Sequence, residues 1–133
     1  MSMNHRRARR LLWLLVAATM LAACGGSGGE SDAAARAVEE YLTAKAAGDR
    51  SAIARLLCAN MEADLDREAL SFADLNARIE DMACASNAGT DTVTCRGTIL
   101  VDYAGETRAF PLSTYRVVQE DGRWKWCGVA PSE

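Results

Sequence analysis

An α+β domain, helices first and an antiparallel sheet second, is what this sequence predicts, and three observations carry the prediction. Between residues 31 and 79 apolar side chains recur at helical spacing, whereas from 82 onward they alternate. The alternating part is cut into four segments, 82–87, 92–103, 107–119 and 123–129. Turn-forming stretches separate them: Asn87-Ala88-Gly89-Thr90, Ala104-Gly105-Glu106 and Asp121-Gly122. Finally, 133 residues suffice for one domain and not two. Together these imply N-terminal helices covering one face of a four-stranded antiparallel meander.

Ahead of that domain lies an address. The first ten residues are polar and basic, with Arg6, Arg7, Arg9 and Arg10, and residues 11–21 (LLWLLVAATML) carry no charge. Such a run is the apolar core of a signal peptide, too short for a hydrocarbon layer that needs about 20 residues. It ends in Leu21-Ala22-Ala23-Cys24, followed by Gly25-Gly26-Ser27-Gly28-Gly29. This resembles the bacterial lipobox, in which small residues precede a cysteine. The resemblance implies a lipoprotein: diacylglycerol on the Cys24 thiol, cleavage on its N-terminal side, and anchoring at the extracytoplasmic face of the cell membrane. The implied division is a signal peptide over 1–23, a lipidated cysteine with a flexible Gly/Ser tether over 24–30, and a folded domain over 31–133.

Processing at that point changes the charge. All 18 acidic residues follow position 29 and four of the 15 bases precede position 11, so the 110 remaining residues carry 11 bases, 18 acids and a formal charge of −7. A nucleic-acid partner, which wants a basic stripe, is therefore not expected. The single histidine, His5, leaves with the signal segment. Imidazole-based triads, Cys-His dyads and His-ligated metals are thereby excluded from the processed chain, and no cofactor is implied.

Lipidation of Cys24 leaves Cys58, Cys84, Cys95 and Cys127, an even number in an exported chain. No two of them have C-x-x-C spacing, so two disulfides are expected rather than a structural metal.

Within the domain, Ser31-Asp32 can cap a first helix running to about Ala47, with Ala34, Val38, Tyr41 and Leu42 on one stripe and Gly48 as its stop. Asp49 caps a shorter second helix with Ile53, Leu56, Leu57 and Cys58 inward. Residues 61–70 are acidic and ambiguous, and Asp64-x-Asp66-x-Glu68, like Glu39-Glu40, reads as a solvated face. Ser71-Phe72-Ala73-Asp74 resembles a capping box and predicts a third helix to about Arg78, with Phe72, Leu75 and Ile79 on one side.

Strand registers follow from the turns. A turn at Gly89-Thr90 places Cys84 opposite Cys95; one at Gly105-Glu106 places Val101 opposite Phe110 and Ile99 opposite Leu112. Asp121-Gly122 sets Val117 against Trp126 and Arg116 against Cys127. Arg116 would also face Cys95, leaving Cys95 and Cys127 two strands apart, about 9.5 Å, beyond a disulfide's Cα reach. Cys84–Cys95 and Cys58–Cys127 are the expected bonds. Pro111 marks an edge or a bulge, and a bulge would turn over every face beyond it.

An Ala-rich first helix, the Gly48-Asp49 break, a short helix ending Leu56-Leu57 and a sheet ending Gly122-Arg123-Trp124-Lys125-Trp126 are together similar to the nuclear-transport-factor-2-like, or cystatin-like, α+β roll. That resemblance implies a curved sheet wrapped around helices as a cone, whose open end binds a small apolar molecule, a peptide or nothing known. The expected function is a non-catalytic binding or assembly module held at the membrane. Its partners would be the membrane itself, a small apolar ligand or envelope protein, or a second copy as a homodimer. Tyr115, Val117, Trp124 and Trp126 are the candidate pocket wall, against the commoner fate of aromatics as core. The alternative is a small-molecule enzyme of the ketosteroid isomerase or polyketide cyclase type. Asp102-Tyr103 and Tyr115 are its sole candidate groups on strands, and no catalytic or metal-binding residue is assigned.

Overall fold

The structure is a computed structural model that describes residues 28–132; the expected signal peptide, Cys24 and most of the expected tether lie outside the described residues. Helix α1 (Gly28–Ala47) begins three residues before the expected Ser31 cap and takes in the end of the tether. It stops where expected. Gly48 turns left-handed at φ 66°, its N–H donates to the Lys45 carbonyl, and the Asp49 N–H donates to the Ala44 carbonyl at 2.9 Å, a Schellman closure. Asp49 then caps α2 (Arg50–Leu56), its carboxylate accepting from the Ala52 N–H at 3.0 Å.

The acidic stretch resolves into a 3-10 turn (Ala59–Asp64) and a six-residue helix α3 (Leu65–Leu70). The third helix expected from Ser71 does not form. Asp74 and Asn76 adopt left-handed backbone, φ 63° and 48°, which these two residue types tolerate and a helix does not. Their segment is tied to the sheet instead. The Asp102 N–H donates to the Leu75 carbonyl at 2.7 Å and the Asn76 amide to the Asp102 carboxylate at 2.9 Å.

The sheet has five antiparallel strands: β1 (Arg78–Ser86), β2 (Thr92–Tyr103), β3 (Glu106–Pro111), β4 (Thr114–Glu120) and β5 (Arg123–Val129). Four were expected. β3 pairs with the second half of β2 and β4 with its first half, so the predicted segment 107–119 is one strand broken after Pro111, which has no N–H to give the ladder. Leu112 turns inward there and donates its N–H to the Gly97 carbonyl at 2.9 Å.

The break resets the register. Before it, a two-residue turn at Ala104-Gly105, both with positive φ, pairs Ile99 with Phe110 and Val101 with Arg108, not the expected Leu112 and Phe110. After it Val93 faces Tyr115 and Thr92 faces Arg116, so Arg116 is not opposite Cys95. The first hairpin has the expected register at Cys84–Cys95, whereas the last has it at Val117–Trp126 but shifts by one residue before Val117, where Tyr115 pairs with Val129, so the expected Arg116–Cys127 pairing is not formed. β1 starts four residues earlier than expected because a bulge at Asp81 (φ 54°), between Glu80 and Ala83, interrupts its alternation.

Two disulfides close the architecture. Cys84–Cys95 crosses the first hairpin with Cα atoms 4.0 Å apart, and Cys58–Cys127 ties the end of α2 to β5 at 5.3 Å. The second is reinforced by the Cys58 N–H, which donates to the Trp126 carbonyl at 2.9 Å. Between the layers, Val38, Tyr41 and Leu42 of α1 and Ile53 of α2 pack on Val93, Val101, Val117 and Trp126.

Candidate functional site

The four residues expected to wall a pocket divide into two places. Tyr115, Val117 and Trp126 are buried in the core. The Tyr115 and Trp126 rings lie 6.3 Å apart, and the Tyr115 hydroxyl oxygen accepts from the Ser113 N–H at 3.2 Å. Burial pushes the Tyr115 hydroxyl's pKa up, opposed by that hydrogen bond. Trp124 alone reaches a concavity. It is half-buried at one wall of an open groove of about 360 Å³, whose other walls are Ala33, Ala37 and Arg36 of α1, Leu56 and Arg55 of α2, and Arg123 after the last turn.

Beneath the sheet lies a polar cluster. The Tyr41 ring stacks on Trp126, centroids 4.0 Å apart and planes 10° from parallel, and its hydroxyl donates to a Glu68 carboxylate oxygen. The Lys45 ammonium donates to the same oxygen at 2.6 Å and sits 5.8 Å and 5.9 Å from the ring centres of Phe72 and Trp126. Arg67 approaches the second Glu68 oxygen at 3.6 Å.

Burial raises the Glu68 pKa. The Lys45 and Tyr41 hydrogen bonds, with the charges of Lys45 and Arg67, outweigh it and hold the carboxyl below the usual carboxylate range. Burial first, and the ionised Glu68 second, drive the Tyr41 hydroxyl far above its ordinary range. Chemically the cluster is an ionised carboxylate held by a neutral phenol and an ammonium. The indole N–H of Trp126 beside it is buried without an acceptor among the described residues.

Nothing in the acidic pattern announced this cluster. Glu68, expected on a solvated face, is 6 % exposed. A clue was available on α1: Lys45 continues the Val38, Tyr41, Leu42 stripe one turn on, and a cation on an apolar stripe needs a buried counter-charge. Its former companions do stay outside, Asp66 paired with Arg50 at 2.9 Å and Asp64 with Arg67 at 3.0 Å.

The enzyme candidates are not brought together. Asp102 is at the exposed end of β2 and accepts from Asn76, Thr107 and Arg78, which hold its carboxyl below the usual range. Tyr103 is half-exposed under the Arg108 guanidinium, 4.9 Å from its ring centre, while Tyr115 is in the core. Among the described residues no group of three or more His, Cys, Asp or Glu side chains is arranged to hold a metal, and no helix is long and apolar enough to cross a membrane.

No protein-family model matches the chain, and no curated protein does. Among solved structures it is similar to a SEC-C motif-containing protein from Rhodopseudomonas palustris. The match covers 73 % of this chain and 77 % of that one, with 14 % identity and a TM-score of 0.49.

Proposed function

We propose that the chain is an exported lipoprotein, cut before Cys24 and anchored there by diacylglycerol, whose domain is a non-catalytic binding or assembly module at the extracytoplasmic membrane face. The observation that carries this reading is the cysteine arithmetic. Cys24 stands behind Leu21-Ala22-Ala23, and each of the other four cysteines has its partner within disulfide distance. Disulfides persist where the surroundings oxidise thiols, outside the cytosol. A diacylglycerol joined by an amide-linked chain makes attachment durable where one acyl chain would not.

The domain itself is read as a cone-like roll of the nuclear-transport-factor-2-like kind, which the order of elements, the Gly48-Asp49 break and the terminal Trp124-Lys125-Trp126 hairpin support. A binding role is favoured over catalysis because Asp102, the sole carboxylate among the candidates, lies at the exposed end of β2 held by Asn76 and Thr107, not in an enclosed pocket facing Tyr103 or Tyr115. Intact mass of the processed protein tests the reading. The expected product lacks the first 23 residues, carries lipid on Cys24, and accepts alkylation at four further thiols only after reduction. A product that keeps its N-terminus, or alkylates at all four without reduction, would refute it.

A further inference from the structure

The groove at Trp124 gathers positive charge on a domain that is otherwise acidic. Arg36, Arg55 and Arg123 line it, all three exposed, and none has a carboxylate partner among the described residues. One acid, Glu40, lies among them. Elsewhere on the domain Arg50, Arg67 and Arg78 are each paired with a carboxylate and, among the described residues, Arg96, Arg108 and Arg116 are not, but none of these six lines the groove. Three unneutralised guanidinium groups around a half-buried indole is the combination that suits a headgroup layer, where phosphate takes the charges and the amphipathic ring sits at the boundary.

Chain length places the groove within reach of such a layer. Gly28 is four residue steps from Cys24, a span of at most about 14 Å. From Gly28 the helix climbs about 1.5 Å per residue, so Ala33 is about 8 Å and Arg36 about 12 Å further along. The anchored cysteine is thus held within about 26 Å of Ala33 and Arg36, and the α1 wall of the groove runs from Ala33 to Glu40, along the middle of the helix.

We propose that this groove is a membrane-docking surface for anionic phospholipid headgroups, with Arg36, Arg55 and Arg123 taking phosphate and Trp124 entering the interface. The surface rests on the lipid-anchor reading for its proximity, and it fixes how the domain lies once anchored, groove side down. A lipid chain alone leaves the domain free to swivel. Arginine contacts to the anionic surface add an orientation that weakens with salt.

The processed protein contains two tryptophans, Trp124 and Trp126, of which Trp126 is buried, so its fluorescence reports the groove. The experiment reconstitutes processed full-length protein into vesicles of brominated phosphatidylcholine, alone or with phosphatidylglycerol, and measures flotation and tryptophan quenching. Flotation is expected with both vesicles and quenching with phosphatidylglycerol only. Each of Arg36→Gln, Arg55→Gln and Arg123→Gln should lower the docked population about five-fold, Glu40→Gln should raise it, and Trp124→Phe should remove the quenched signal. Arg36, Arg55 and Arg123 make no ion pair among the described residues, so the three arginine variants should unfold at the parent temperature.

Flotation on both vesicles with no phosphatidylglycerol-dependent quenching overturns the docking surface and leaves the anchor standing. No flotation on phosphatidylcholine overturns the anchor instead. In that event arginine-dependent quenching on phosphatidylglycerol vesicles still supports the groove, and its absence overturns the groove as well.

Discussion

Glu68 shows how one side chain can be misplaced by its neighbours in sequence. Asp64, Asp66 and Glu68 alternate, yet only the last is turned under the sheet, where Lys45 and Tyr41 both donate to one of its oxygens. Removing the charge strands the Lys45 ammonium, which is 19 % exposed, in a half-apolar site beside Phe72 and Trp126. Breaking a fully buried pair costs about 3–5 kcal/mol, and the residual access of Lys45 to water brings the expectation for Glu68→Gln to about 2 kcal/mol at neutral pH. The pH dependence has a definite sign. Because folding lowers the Glu68 pKa from its ordinary 4.5, its contribution is fully present above that pH and is lost as pH falls through the lower folded value. Urea midpoints between pH 7 and pH 3 should therefore fall more steeply in the parent than in Glu68→Gln. Parallel curves would mean that the cluster contributes no charge-dependent stability.

At the scale of elements, bulges and breaks decide which face a strand shows. Opposite the β1 bulge sits Gly97 at φ 115°, where an added Cβ would lie 2.7 Å from the Glu80 carbonyl oxygen and 2.8 Å from that of Asp81. Both obstacles are backbone atoms, so Gly97→Ala should cost about 3 kcal/mol, read as a drop in urea midpoint at unchanged slope. Gly89 is the control: its φ of 75° is also left-handed, but nothing lies within 4 Å of an added Cβ, and Gly89→Ala should cost about 1 kcal/mol. Equal losses at the two sites would show that the β1–β2 approach is not tight. The same devices explain how far the elements could be read in advance. The Gly48-Asp49 and Asp121-Gly122 punctuation gave correct boundaries because both are local, a left-handed glycine and a two-residue turn. Cys84 opposite Cys95 was legible for the same reason. The break at Leu112-Ser113 was signalled by Pro111 but not located by it, and one residue there exchanges Arg116 for Tyr115 on the inner face. The capping-box reading failed at Asp74 and Asn76, both left-handed, where the segment is tied to the sheet by Asp102, which donates its N–H to the Leu75 carbonyl and accepts from the Asn76 amide 26 residues away in sequence. Of the candidate site, the aromatic face was legible and its fate was not. Alternation places Trp124 and Trp126 on one side of β5, but whether each ends in core or groove depends on where α1 lies across them.

For the molecule as a whole, the two disulfides differ in what they constrain. Cys84–Cys95 closes 11 residues within a hairpin the chain already favours, whereas Cys58–Cys127 closes 69 and joins the helical layer to the last strand. On the chain-entropy account they restrict the unfolded state by about 3 and about 4 kcal/mol, and since the shorter loop is nested in the longer one the sum stays near 7 kcal/mol. A domain of this size is stable by about 5–15 kcal/mol in all, so the cross-links supply a large part of its margin and the core the remainder. Paired substitution tests the division: Cys84→Ala with Cys95→Ala should lose the smaller amount, Cys58→Ala with Cys127→Ala the larger, both measured by urea unfolding. Losing both bonds should leave a domain that melts tens of degrees lower and is cut readily by protease. It follows that chain made in a reducing compartment should fold poorly and chain made under oxidising conditions should fold well, which on the export reading proposed above would give the N-terminal segment a physical role beyond address. If instead the fully reduced protein keeps its melting temperature, the Tyr41–Trp126 core alone holds the layers together, and oxidation would be incidental to the fold.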